Sequence, residues 1–262
     1  MYAFEFVKPS NIDEALKALA AEGAQPVAGG QTLIPTLKAR LNAPELLVSL
    51  TGIAELKGVC RDGDALVIGA ATTHAEVARA AAEHFPALAS LAGRIGDPAV
   101  RNLGTLGGSL ANNDPSACYP AGALGSGATI VTDRREIAAD DFFEGMFATA
   151  LEEGEIITSV RFPIPVTAAY EKFIQPASRF PLTAAFVARY AHRVRVAITG
   201  ASEEGVFRWT EAEEALAQNF NPDAVSELSL PAEGMIGDLH GTPQYRAHLA
   251  KIMTLRAVKG VS

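Results

Sequence analysis

Cysteine is almost missing from this chain. Its 262 residues include only Cys60 and Cys118, too few for a disulfide framework or for the four thiolates of an iron–sulfur or structural zinc site. Familiar catalytic signatures are missing too. There is no G-x-G-x-x-G after a strand, no glycine loop ending in Lys-Ser/Thr, no H-E-x-x-H and no C-x-x-C. Positive charge is in deficit: 22 Lys and Arg against 30 Asp and Glu give a net charge of −8. That balance excludes the basic stripe with which proteins collect phosphates of nucleic acids or anionic membranes. Although 48% of residues are hydrophobic, no run approaches the roughly 20 apolar residues of a membrane helix. The opening "MYAFEFVKPSNIDEALKAL" carries Glu5, Asp13 and Glu14 within it and does not read as a secretory leader. These absences predict a cytoplasmic globular protein of one large domain or two smaller ones.

What is present reads first as alternating strand and helix. Ser10 or Asn11 caps a helix whose Ile12, Ala15, Leu16 and Leu19 share a face, and Gly23 stops it. "QPVAG" is a short strand, "TLIPTLKARL" a helical turn or two, and "ELLVSL" a buried strand. Such alternation predicts parallel pairing. "LKGVCRDGDALVIGA" instead reads as a hairpin around Asp62-Gly63. A capping box, Thr73-x-x-Glu76, opens the next helix, and "PALASLAGRI" continues at helical spacing. Asp114-Pro115 reads as cap and first residue of a helix reaching Leu124. "ATIVT", "REIAA" and "EIITSVRFPI" are strand candidates, and the alternate prolines of "PIPVT" (163–167) mark a domain boundary. Beyond it, "YEKFIQPASR", "TAAFVARY" and "RVRVAITGA" read as strand and helix elements of a smaller α/β unit, with helices at "RWTEAEEALAQ" and "QYRAHLAKIMTLRAV".

Few side chains nominate themselves for chemistry. His74 follows the capping Thr73 and reads as a helix-start residue. His84, His192, His240 and His248 and the acidic turn "EEGE" (152–155) are assigned to solvent. Two glycine segments remain, "VAGGQTLIP" (27–35) and "GTLGGSLANNDPSACYP" (104–120). Each ends in a Gly-Gly pair followed by a hydroxyl residue, Thr32 or Ser109. Glycines let consecutive backbone N–H groups converge on an anion and let a ligand approach with no Cβ in the way. The helix that follows adds positive potential. This is a pyrophosphate site that needs no lysine.

At these residues a family resemblance emerges. "AGGQTLIPTLKARL" and "GDPAVRNLGTLGGSLANNDPSACYPA" resemble the FAD-binding medium subunit of the molybdenum hydroxylases, the xanthine dehydrogenase and carbon monoxide dehydrogenase family. "ADDFFEGMFATALEEGEIITSVRFP", "KFIQPASRFPLTAAFVA" and "GDLHGTPQYRAHLAKIMTLRAV" extend the likeness over nearly the whole chain. The resemblance implies an α+β protein with an FAD-binding fold of the vanillyl-alcohol-oxidase and p-cresol-methylhydroxylase type. In it, residues 1–165 form the FAD-binding domain (subdomains about 1–55 and 56–165), and 166–262 form a small C-terminal α/β domain. By matching motif, Ala28, Gly29, Gly30, Gln31, Thr32 and Leu33 would form the first pyrophosphate loop, and Thr105, Gly107, Gly108 and Ser109 the second. Ile95 and Gly96 would lie along the cofactor, Ile157 would pack on the flavin, and Lys172 would approach the isoalloxazine. Many relatives carry an acid where this chain has Cys118. A thiol is a weaker acceptor for the adenosine end, and Asp114, four residues earlier, is the alternative.

The activity so implied is electron transfer. A large partner subunit would hold a molybdopterin cofactor and oxidise the substrate, and a small partner would carry two [2Fe–2S] clusters. FAD on this chain would pass the electrons to NAD, a quinone or oxygen, within a dimer of heterotrimers. The competing readings are a self-contained flavin oxidase of the same superfold acting on an alcohol or phenol, and an assembly module that has lost its cofactor.

Overall fold

The computed structural model describes residues 1–261. The chain opens as β1 (Glu5–Val7), α1 (Ile12–Leu19), β2 (Ala24–Val27), α2 (Leu33–Lys38) and β3 (Leu46–Ser49). Its strands form a parallel sheet in the order β1-β3-β2. Parallel pairing follows from the helical crossovers that separate the strands. At the start of α1, Asn11 accepts from the Glu14 N–H while the Glu14 carboxylate reaches back to the Ser10 N–H. Ala15 and Leu19 are buried with Val48, Ile53 and Leu56.

A second unit begins with the hairpin β4 (Val59–Asp62) and β5 (Ala65–Gly69). Gly63 turns it at φ +61°, a conformation glycine adopts without a Cβ penalty. Five short helices follow: α3 (His74–Ala80), α4 (Pro86–Gly93), α5 (Pro98–Leu103), α6 (Leu106–Asn112) and α7 (Tyr119–Ser126). Then come β6 (Thr129–Thr132), β7 (Glu136–Ala138), α8 (Ala139–Phe142), the small pair β8 (Phe143–Gly145) and β9 (Ala148–Thr149), and β10 (Ile157–Pro163). These close an antiparallel sheet in the order β4-β5-β10-β6-β7. Two local expectations change. The second glycine segment is the first turn of α6, not a loop. The helix expected from Asp114-Pro115 begins instead at Tyr119, because Asp114 spends its cap on a turn, accepting from the N–H groups of Ser116 and Ala117.

The remaining chain is an antiparallel sheet, β11 (Thr167–Ile174), β12 (Pro181–Arg189), β13 (Val194–Ser202) and β14 (Gly205–Arg208), in sequential order. One side is covered by α9 (Thr210–Gln218), α10 (Asp223–Ser226) and α11 (Pro243–Lys259), which bury Trp209, Leu216 and Met253 with Val187 and Val196. The stretches that read as mixed strand and helix are all strands. Their apolar residues run almost unbroken because both faces of β12 and β13 are buried. The other face packs on the second unit. Every residue of α7 is buried, and Tyr170, Phe186 and Ala197 share a core with Leu88, Leu91 and Tyr119. Gly122 and Gly125 permit this contact, since a Cβ at Gly125 would lie 2.8 Å from the Phe186 ring.

Candidate cofactor-binding cleft

The two glycine segments, some seventy residues apart in sequence, meet in space. The turn after β2 backs onto the α5–α6 junction so closely that a Cβ on Gly29 would stand 2.1 Å from the Leu103 carbonyl oxygen. Gly30, at φ +67°, turns the chain into α2. A Cβ on Gly108 would lie 3.7 Å from Ala28. The start of α3 is stitched to the same junction, with His74 N–H donating to the Gly104 carbonyl and Leu106 N–H to Thr72. Between the segments opens a cleft of about 980 Å³, at the large end of the roughly 300–1,000 Å³ usual for ligand sites.

The two segments supply different groups. Among the described residues, none of the N–H groups of Gly29, Gly30, Gln31 and Thr32 donates to another protein atom; the one bond within this turn is from the Gln31 side chain to the Gly29 carbonyl. All four residues line the cleft. The helical segment has already committed its donors. Leu106, Gly107 and Ser109 give their N–H groups to Thr72, Ala70 and Thr105 carbonyls, and Gly108 gives its own to Thr105 Oγ1. The second nest expected from the glycines is therefore absent. What this segment offers is the cleft-facing Gly108 and the Ser109 hydroxyl, which has no hydrogen-bond partner among the described residues. Gly107 serves packing: a Cβ there would lie 2.6 Å from that of Ala70.

Of the residues named from sequence, Ala28, Gly29, Gly30, Gln31, Thr32, Leu33, Ile95, Thr105, Gly107, Gly108, Ser109, Asp114 and Ile157 line the cleft. Gly96, Cys118 and Lys172 do not. Gly96 sits behind Ile95 with its carbonyl accepting from Arg101. Cys118 precedes α7 in helical conformation and is 5% exposed, its sulfur turned toward Lys172. Lys172 shares the inward face of β11 with Tyr170, and its Nζ donates to the Arg94 carbonyl. Both side chains point into the core, contrary to what the resemblance implies, so of the two candidates for the adenosine end only Asp114 borders the cleft.

Sequence reasoning missed several lining groups. His74 is one: it is 5% exposed, and its Nδ1 finds no partner. Burial, with a lesser push from Arg101, lowers its pKa to about 4, so the ring is neutral near pH 7. Glu155 is another. The acidic turn is solvated at Glu152 and Glu153 but not at Glu155, which is buried. It accepts from Arg135 and Thr132, and these bonds, Arg135 foremost, hold its pKa near 2. Ser178 and Phe180, from the β11–β12 connection, also line the cleft. Nothing local announces these residues, since each owes its place to contacts distant in sequence.

Four unpartnered donors in a glycine turn, free hydroxyls at Thr32 and Ser109, and apolar walls of Ile95, Val100, Leu151 and Ile157 suit an elongated ligand, anionic at its middle and aromatic at its ends. The fold and cleft define an α+β protein with a cofactor-sized cleft where the two glycine segments meet. Residues 2–165 match the family of the FAD binding domain in molybdopterin dehydrogenase, and the chain belongs to that family. The carbon monoxide dehydrogenase medium chain of Afipia carboxidovorans is 32% identical, the alignment covering 98% of this chain and 96% of that one. The nicotine 6-hydroxylase medium subunit of Paenarthrobacter nicotinovorans is likewise 32% identical, over 98% and 96%. Among solved structures, quinoline 2-oxidoreductase from Pseudomonas putida 86 superposes with a TM-score of 0.88 at 30% identity, covering 99% of this chain and 96% of the matched chain. The chain is thus an FAD-binding subunit of a molybdopterin-dependent oxidoreductase, with the fold its sequence implied.

Proposed function

We propose that this chain is the electron-transfer flavoprotein of a multi-subunit molybdenum hydroxylase. A small partner carrying [2Fe–2S] clusters delivers electrons, and FAD held here passes them to NAD, a quinone or oxygen. A large partner holds the molybdopterin cofactor and oxidises the substrate. The carrying observation is the turn at 29–32, whose four free N–H groups suit a pyrophosphate. Thr32 and Ser109 add hydroxyl donors, and Ile95 and Ile157 offer apolar surface to the ring system. FAD supplies the redox chemistry, exchanging one or two electrons; the chain binds it, orients it and shapes the path by which electrons arrive. His74 stays neutral and does not serve as a proton donor near pH 7.

We place the FAD-binding domain at 1–165, with subdomains about 1–55 and 56–165, and the C-terminal domain at 166–262. The complex is a dimer of heterotrimers in the cytoplasm. No helix among the described residues is long and apolar enough to cross a membrane, and no described group of His, Cys, Asp and Glu could hold a metal. The test is purification of the chain alone and with co-expressed partners. Alone, it should show a flavin spectrum and slow NADH–dye reduction, and leave aldehydes, purines and carbon monoxide untouched. With its partners it should co-purify with iron and molybdenum. Rapid turnover of an organic substrate by the metal-free chain overturns this reading in favour of a self-contained flavin oxidase. A well-folded chain that takes up no FAD overturns it altogether.

A further inference from the structure

One residue behind the cleft wall lies a pair of buried reactive groups that cofactor binding does not use. Cys118 Sγ and Lys172 Nζ are 3.6 Å apart, and both residues are 5% exposed. Ala117 and Ile95 line the cleft. Cys118 directly follows Ala117, and Arg94, whose carbonyl accepts from Lys172 Nζ at 2.7 Å, directly precedes Ile95. The amine is thereby oriented on one side by a carbonyl and on the other by sulfur. The Tyr170 hydroxyl is buried beside Cys118 and makes no hydrogen bond of normal geometry among the described residues. Burial lowers the lysine pKa, opposed in part by the adjacent thiol, which favours the neutral, nucleophilic amine. Cys60, by contrast, is exposed and has no hydrogen-bonded lysine.

We propose that Cys118 and Lys172 form a covalent sulfur–nitrogen cross-link when the protein meets hydrogen peroxide. In the first step the Cys118 sulfur attacks a peroxide oxygen, and the thiol proton passes to the departing oxygen. An S–O bond forms, the O–O bond breaks, and one water leaves behind a sulfenic acid. In the second, the Lys172 nitrogen attacks that sulfur. An S–N bond forms, the S–O bond breaks, and hydroxide departs with an amine proton as a second water. One thiol, one amine and one peroxide give one sulfenamide and two waters, and the two electrons lost by sulfur reduce the peroxide. The amine sits on a flexible four-carbon stem and has only to close a gap of roughly 2 Å. Dioxygen reoxidising a reduced flavin in the cleft would make peroxide within reach. That source rests on the function proposed above; the chemistry of the pair does not. The bond would tie the start of α7 to β11, pinning the cleft wall to the C-terminal sheet.

Peptide mass spectrometry tests the proposal directly. The full-length protein is treated with hydrogen peroxide in its native state, alkylated, and digested with trypsin without reductant. The fragment 102–134, with Cys118 as its one cysteine, should appear joined to 162–179 left uncut at Lys172, about 2 Da lighter than the two combined. A joined product about 14 Da heavier than the two combined has taken one more oxygen from a second peroxide. It upholds the proposal as the S–N-bonded sulfinamide when phosphine leaves it joined, and overturns it as an N–O–S bridge when phosphine cleaves it. From the product about 2 Da lighter, a phosphine reductant should return the separate fragments, and Lys172→Arg or Cys118→Ser should abolish the joined one. Wild-type mapping needs no variant to fold, and added peroxide keeps the result independent of FAD content. Recovery of both fragments unjoined, with Cys118 alkylated or carried only to sulfinic or sulfonic acid, overturns the proposal.

Discussion

His74 and Glu155 both border the cleft and both have depressed pKa values, for opposite reasons. Burial without a partner keeps His74 neutral and lowers its pKa from 6.5 to about 4. The unfolded chain binds a proton there at a higher pH than the folded one does. Its contribution is therefore full above pH 6.5 and is lost as pH falls toward 4, a change on the order of 3 kcal/mol. Replacing His74 with Leu should flatten the pH dependence of unfolding, followed by urea titration, across that window. Glu155 is lowered to about 2 by accepting hydrogen bonds as a carboxylate, so its contribution is full above its unfolded value and disappears as pH falls toward 2. Glu155→Gln should lower the melting temperature at neutral pH and have little effect near pH 2. Cys118 shows how neighbours redirect a side chain. Motif matching pointed it at the adenosine end of the cofactor, whereas packing at the start of α7 turns it to Lys172.

At the scale of elements, the two glycine segments share a motif and differ in physics. Gly29 is where two stretches of backbone approach; Gly108 faces open cleft. Gly29→Ala should unsettle the join between the β2–α2 turn and the α5–α6 junction, reducing thermal stability and FAD content together, because a Cβ would stand 2.1 Å from a backbone oxygen. Gly108→Val should empty the protein of FAD while circular dichroism remains close to wild type and melting falls only modestly as the Thr105 hydroxyl gives way. Its nearest neighbour would be the Thr105 hydroxyl at 2.9 Å, and the added bulk would project toward Ala28. Retention of FAD by a folded Gly108→Val protein would refute a pyrophosphate passage between the segments.

Across the whole molecule, α7 and the buried cation of Arg195 help hold the seam between the second unit and the C-terminal sheet. Arg195, on β13, is 5% exposed. It donates from Nε and Nη2 to the Leu124 carbonyl near the end of α7 and from Nη2 to Asp140 of α8. Arg208 joins the same carboxylate and also pairs with Glu213. A cation at a helix C-terminus is favourable, and removing it would leave the Leu124 carbonyl with the Gly127 N–H as its remaining donor and Asp140 without its buried partner. Arg195→Leu should cost about 3 kcal/mol, read from chemical denaturation, and should loosen the sheet from α7 before either unit melts.

The sequence alone determined whatever depends on neighbours a few residues away. The capped α1, the parallel pairing of β2 with β3 across α2, the β4–β5 hairpin and the Gly-Gly turn at 29–30 all follow from spacing, capping chemistry and the conformational freedom of glycine, whereas β1 was not read from the sequence. The family was, because the glycine motifs, though distant, are each local. Only the tertiary structure decided which N–H groups at those motifs are free. That depends on Ala70, Thr72 and Thr105 taking the donors of α6, a fact no window of sequence contains. The same holds for β12 and β13, whose unbroken apolar runs fit strand or helix equally until a second layer covers each face. It holds too for His74, Glu155 and Lys172, whose burial and protonation are set by residues between 20 and 78 positions away, and for Cys118, whose sulfur is met by Lys172. Desolvation and packing are properties of the assembled interior, and a linear pattern carries no measure of them.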